Sequence, residues 1–153
     1  MDLKLFDAET SMAILLEENT DTLVYCSYVR GYHAYAKIWS PVVGDESLFC
    51  RHERDNAADK DAVAVIHDNL VEERVVGHVP ANVARVFRQF LRLPGTRICV
   101  KVTAKRDNRG AGMGLEIPVA FIFNGDRRAT AWVRKETTRI DNNVDCNLKY
   151  CMK

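Results

Sequence analysis

Val29–Tyr35 reads VRGYHAY, Arg54–Val65 reads RDNAADKDAVAV, and Val75–Pro80 reads VVGHVP. Between apolar runs of β type lie a histidine, an Asn-x-x-Asp turn and a Gly-His pair. Branched and aromatic residues suit a pleated, half-buried surface, whereas Gly, Asn and Asp close turns. The polar residues therefore fall in the connections, the pattern of a small barrel whose loops converge on a binding groove.

Working outward, Leu23–Arg30 reads as the first strand and Ser47–Arg51 as the second. Ala62–His67 and Val75–Val79 flank the polar loop at 70–74 as an antiparallel hairpin. Pro80 is suited to the first turn of a helix over Ala81–Arg92, which Pro94-Gly95 stops. Val83, Phe87, Phe90 and Leu91 share one face of that helix, and Arg85, Arg88 and Arg92 share the opposite one. Arg97–Lys105 alternates, with Ile98, Val100, Val102 and Ala104 inward. Leu115–Phe123 alternates likewise, with Leu115, Ile117, Val119, Phe121 and Phe123 inward, and Pro118 marks it as an edge or bulged strand. Short strands between Gly/Pro turns, with a single firm helix, favour a small barrel or sandwich over a parallel sheet, which needs crossover helices.

Composition bounds the function more by exclusion. The 153 residues make one domain, with 22 basic residues against 21 acidic ones, so overall charge does not mark a polyanion binder. The distribution is uneven. Asp2, Asp7, Glu9, Glu17, Glu18 and Asp21 face Lys4 alone in the first segment, while Arg85 to Arg109 is strongly basic. We divide the chain into an acidic arm at 1–22, a barrel at 23–125 and a C-terminal extension at 126–153. In that extension Trp132, Val133 and Ile140 are candidates for a last packed element, and 141–153 reads as a loose tail. Cys26, Cys50, Cys99, Cys146 and Cys151 form no C-x-x-C pair and read as reduced thiols. With no basic start followed by an apolar run, and no run near the ~20 residues that span a bilayer, the chain reads as intracellular.

Catalytic signatures are missing: there is no G-x-S-x-G elbow, Walker A loop or H-E-x-x-H. Gly110-Ala111-Gly112-Met113-Gly114 lies between strands and reads as a hairpin loop. Neither the histidines nor the Cys146/Cys151 spacing suggests a metal site. No cofactor, no small-molecule substrate and no membrane partner is expected.

The three opening segments resemble the HIRAN domain, a small barrel found in helicase-like chromatin-remodelling ATPases and as a free-standing protein. Val29-Arg30-Gly31 matches its glycine turn. Arg54-Asp55-Asn56 with Asp59, Ala62, Val63 and Val65 matches its second motif, and Gly77-His78-Val79-Pro80 its third. The likeness runs from Leu23 to Gly125. It implies a mainly β (α+β) fold, a small OB-like or SH3-like barrel of about six strands with one or two helices. In the best-known member this domain captures the 3′ end of single-stranded DNA, which implies nuclear localisation here. The resemblance places Asn56, Asp59 and His78 in the binding frame. It places His33 and Ala34 where the family has an arginine and a tyrosine, Ala58 at a second tyrosine, and Leu115 at a late aromatic. Each base stacked on an aromatic ring contributes roughly 1–3 kcal/mol, so these replacements weaken the family's stacking platform.

Each candidate also has a plainer reading. Asn56 and Asp59 close a turn by side-chain to backbone bonds as readily as they bind a sugar or base edge. His33 is a poor substitute for a guanidinium fork, and His78 can satisfy a backbone carbonyl. Trp39 is assigned to the core and Tyr35 to the ligand. Arg85, Arg88, Lys101 and Lys105 are either a solvated face or a phosphate track. The reading is a non-catalytic module for single-stranded DNA ends, formed by His33, Tyr35, Asn56, Asp59 and His78 with that basic face. The alternative is a protein-recruitment module on the same barrel.

Overall fold

The computed structural model describes residues 19–32, 35, 39–105, 107–108 and 115–143. Six strands follow one another around a sheet in the order β1, β7, β5, β2, β3, β4, every pair antiparallel. They are β1 (Thr20–Val29), β2 (Leu48–His52), β3 (Val63–Asp68), β4 (Glu73–His78), β5 (Arg97–Val102) and β7 (Leu115–Asp126). The two-residue β6 (Asp107–Asn108) adds to the start of β7. Helix α1 (Ala81–Leu91) follows β4, and helix α2 (Arg127–Asn143) follows β7.

The sheet closes on itself. Arg30, just beyond β1, exchanges both backbone bonds with His78 at the end of β4, each 2.8 Å long. That pairing satisfies two edges which would otherwise be left open. It needs Gly77. A Cβ there would lie 2.7 Å from the Arg30 carbonyl oxygen and would collide with Val29 Cγ1.

Alternation gives the barrel its interior as the sequence suggested. Ile98, Val100, Val102, Ile117, Val119, Phe121 and Phe123 are buried. Helix α1 plugs the barrel with Val83, Phe87 and Phe90, all fully buried. Phe87 packs edge-on against Phe121 and Phe123 at 4.9 and 4.8 Å, and Phe90 against Phe123 at 5.1 Å, the arrangement aromatic quadrupoles favour. Pro80 caps α1, its carbonyl accepting from the amides of Val83 and Ala84.

Two sequence readings are corrected. Ala104 lies past the end of β5 and is exposed. Pro118 sits in a central strand, because β7 runs between β1 and β5. It is tolerated there by position. The Pro118 carbonyl accepts from the Thr103 amide beyond the last β5 pair, Val102 with Val119. A residue's N–H and C=O point to the same side of a strand, so the missing donor faces Thr103 and costs one bond of the terminal pair, at the end of the ladder.

Arg127–Asn143 form a packed helix, which takes in the first residues of the segment read as a loose tail; 144–153 lie outside the described residues. Asp126 Oδ1 accepts from the Ala129 amide at 2.8 Å as an N-cap, and Ala129 and Val133 join the core. Trp132 and Ile140 pack partly buried against it. Thr137 is buried, its hydroxyl donating to the Val133 carbonyl at 2.7 Å. Cys26 departs from the reading of reduced thiols, being disulfide-bonded. Cys50 and Cys99 are free; burial, and secondarily the neighbouring Cys99, pushes the Cys50 thiol well above its usual range.

Gly77→Ala is expected to destabilise the fold by about 1–3 kcal/mol through overpacking at the seam, read as a lower urea midpoint with the slope retained. A second expectation concerns Asp141, which accepts from the Tyr25 hydroxyl at 3.0 Å. Burial lifts its carboxyl above the ordinary 3.8, with the Tyr25 bond opposing that rise. The native state then holds this proton more tightly, so the stabilisation is fully present below the ordinary value and is lost as pH rises through the raised one. Asp141→Asn should therefore match or exceed the parent at neutral pH. The advantage should shrink when urea midpoints are compared at about pH 4.

Candidate nucleic-acid interface

Strand parity decides which side chains share the outer face of the barrel. Arg30 lies opposite His78, His78 opposite Ala64, and Ala64 opposite Arg51. Paired residues in an antiparallel ladder point to the same side. The four therefore form one row around the outside, crossing β1, β4, β3 and β2. Val29, Val63 and Cys50, each one step away along its strand, face the core.

Every polar member of the row is held. His78 Nε2 lies 2.5 Å from Glu53 Oε1. A carboxylate can only accept, so Nε2 carries the hydrogen, and the other ring nitrogen is left for a ligand. Arg30 donates from Nε to Glu116 Oε2 at 3.1 Å, and Glu116 is fully buried while the Arg30 side chain is 39% exposed. The second Glu116 oxygen is buried without a partner, so this carboxylate fixes the guanidinium in place. Tyr35 brings its ring centroid to 6.3 Å from the His78 ring. Its loop is anchored by the Tyr35 amide on the Tyr32 carbonyl at 2.8 Å. Tyr32 and Trp39 pack edge to face in the core at 5.8 Å, so Trp39 is core as the sequence suggested.

Asn56 and Asp59 build the turn beside this row. Asn56 Oδ1 accepts from the amides of Ala58 and Asp59, at 3.0 and 2.9 Å, and Asp59 Oδ1 accepts from the Asp61 amide at 2.9 Å. The Asn56 amide group reaches Glu53 Oε1 at 3.4 Å, which ties the turn to the carboxylate that holds His78. His52 adds a contact to the Lys60 carbonyl at 2.9 Å. A shallow groove of about 540 Å³ begins at Glu53, Arg54 and Asn56 and runs over Ala64, Ile66 and Val75.

The proposed basic track divides. Arg88 Nε stands 2.7 Å from Asp61 Oδ1 but out of line for a hydrogen bond, so the contact is ionic and binds α1 to the Asn56–Asp61 turn. Arg85 is exposed one turn earlier on the same helix. Lys101 lies on β5, paired with Glu46 at 3.4 Å, and Lys105 is exposed beyond that strand. Two strands, β2 and β3, separate β5 from the His78 strand. His33 and Ala34 lie outside the described residues. Leu115 opens β7 opposite Asn108.

Sequence reasoning missed Arg30, Glu53, Arg51 and Glu116. Arg30 stood inside the first quoted segment, and its parity against the buried Val29 was the available signal. Among the described residues no three His, Cys, Asp or Glu side chains are grouped to hold a metal ion, and no helix is long and apolar enough to cross a membrane.

A small antiparallel barrel, closed at one seam, with polar side chains in a row on its outer face, is an OB-like binding-module architecture. The sequence pattern of the HIRAN domain matches residues 21–121, and the chain belongs to that family. Solved structures share the fold. The crystal structure of the HIRAN domain of human HLTF matches with a TM-score of 0.56 at 18% identity, covering 81% of this chain and 94% of that one. An NMR structure of the HLTF HIRAN domain gives 0.61 at 19% identity, covering 89% and 98%. The NMR structure of that domain in its DNA-bound conformation gives 0.54 at 17% identity, covering 81% and 93%. No curated protein matches.

The turn bonds carry a prediction of their own. Asn56→Ala removes the acceptor for two amides and should lower stability by about 1–2 kcal/mol. Asn56→Asp, which keeps a side-chain oxygen, should restore most of it, both read from urea midpoints.

Proposed function

We propose that this chain is a non-catalytic nucleic-acid-binding module that takes the 3′ end of single-stranded DNA on the Arg30–His78 row. The observation that carries the reading is the row itself. A guanidinium fixed by a buried carboxylate stands beside an imidazole of defined tautomer, with a tyrosine ring against it. The guanidinium N–H groups suit a phosphate, the second imidazole nitrogen can accept from a terminal hydroxyl, and an aromatic ring suits a base. Arg30 supplies the cation that the family's arginine position, His33 here, lacks. Membership of a family with a DNA-bound member supports the same reading.

Asn56 and Asp59 enter this function as builders of the turn, since their oxygens are engaged with backbone amides. Arg85 lies on the helix tied to that turn and can extend the contact to a following phosphate. Localisation with DNA, in the nucleus, goes with the reading.

A second reading, recruitment of a protein, has one observation in its favour. Leu70 and Val71 at the tip of the β3–β4 hairpin are 96% and 89% exposed. Exposed aliphatic pairs of this kind are a frequent mark of protein contacts.

Fluorescence anisotropy with single strands bearing a free or a blocked 3′ end separates the two. The free end should bind more tightly, and Arg30→Lys, which keeps a cation against Glu116 but loses the planar fork, or His78→Ala should each weaken it roughly tenfold without unfolding the barrel. Equal weak binding of both strands, or none at ~150 mM salt, would sink end capture.

A further inference from the structure

The row of residues next to His78 has an unusual make-up for an outer face. Two positions along the strands, Phe49 lies opposite Ile66 and Ile66 opposite Val75. Phe49 is half-buried, Ile66 forms the floor at 4% exposure, and Val75 is half-buried. Above the Phe49 ring, Arg51 Cζ stands 5.2 Å from the ring centroid. The same guanidinium donates to Glu73 Oε2 at 2.6 Å. It is thus held between an aromatic face and a carboxylate, with more than half of its side chain open to solvent. Arg54 projects at the rim of the same groove, exposed and without an acidic partner among the described residues.

An aromatic ring beneath a planar cation, over an aliphatic floor, is a surface on which a base stacks. It is continuous with the Arg30–His78 row, because Arg51 belongs to both. The two rows are about 7 Å apart along the strands, a separation that an extended single strand covers in one nucleotide step. Charge argues for stacking as the main source of affinity. Arg51 and Arg54 face Glu53, Asp55 and Glu73 around this groove, so there is no surplus of cations to concentrate a polyanion.

We propose that the outer face of β2–β3–β4 is a second nucleotide subsite, in which a base upstream of the captured end stacks on the Arg51–Phe49 pair. This deepens the single-strand reading and rests on it. The subsite restores, on a strand, the stacking that Ala58 does not provide in the turn. Arg54 contacts the phosphate between the two subsites.

The test compares a mononucleotide with an oligonucleotide of about eight nucleotides, both with free 3′ ends. Phe49→Ala should weaken the longer strand about 5- to 100-fold and leave the mononucleotide within about twofold, and Arg51→Lys should weaken the longer strand to a similar extent. Arg51→Lys keeps the charge at an exposed position and loses the planar fork, so it reports stacking in a barrel that remains folded. The loss should persist at raised salt, whereas Arg54→Ala should lower the salt slope by about one. An eight-nucleotide strand unaffected by Phe49→Ala and Arg51→Lys, with the mononucleotide still bound, overturns the subsite alone. Equal weakening of both lengths by Phe49→Ala overturns it too, since the ring would then serve the end pocket. Failure of the parent protein to bind either length overturns the subsite and the single-strand reading together.

Discussion

The backbone pairing between Arg30 and His78 is the contact on which the rest of this molecule depends. It closes the barrel, and it also decides what the outer face presents. Between Val65 and Ile66 the β3–β4 register shifts, leaving one extra residue at Val76. Without that bulge, Gly77 would stand opposite Ala64 on the outside and His78 would turn inward, opposite Val63. A one-residue slip exchanges the two faces of a strand. The bulge therefore leaves Val76 in the core, puts glycine where the seam is tightest, and delivers an imidazole to the surface.

Once His78 faces outward, its surroundings follow from parity and from the cost of leaving polar atoms unmet. Glu53 continues the outward face of β2 and reaches the imidazole. Arg30 continues the outward face of β1 and reaches Glu116, which would be an isolated buried charge without it. Arg30, Arg51 and His78 are thus each tied to an acid, in agreement with a formal net charge of only +1. Such a surface attracts a polyanion weakly from a distance. It holds its donors in fixed directions, which favours recognition of a terminus or a base over long electrostatic tracking.

Much of the fold was legible because the relevant signals are local. The alternation in β5 and β7, the Val83/Phe87/Phe90 face of α1 and the Asp68-Asn69 turn all lie within short windows and agree with one another. Helix α2 was harder to read because its buried face is sparse in large apolar groups. Ala129, Val133 and Ile140 recur at helical spacing, but Thr130 and Thr137 stand among them, and their hydroxyls return to helix carbonyls. Pro118 misled for a related reason. Whether a missing N–H matters depends on where the neighbouring ladder stops, which is a tertiary fact. The same holds for the site. Asn56, Asp59 and His78 could be picked out from their motifs, but the carboxylate on His78 depends on how β2 and β4 each pair with β3. Arg30 and Phe49 carry no motif, and only register places them beside His78.

A stacking surface on a strand, as proposed, makes a different kind of binder from one in a turn. In the Asn56–Asp61 turn, three side-chain to backbone bonds set the chain direction, and alanine at position 58 offers a base no ring. Phe49 is held by cross-strand neighbours on both sides, Ile66 on β3 and Cys99 on β5. A ring fixed in a sheet loses little freedom when a base settles on it, whereas a loop ring must first be ordered. Affinity then accumulates along the strand away from its end, and the end pocket contributes mainly polarity and direction. Under that division, the replacements at Ala34 and Ala58 would relocate the stacking energy without removing the selectivity proposed for Arg30 and His78.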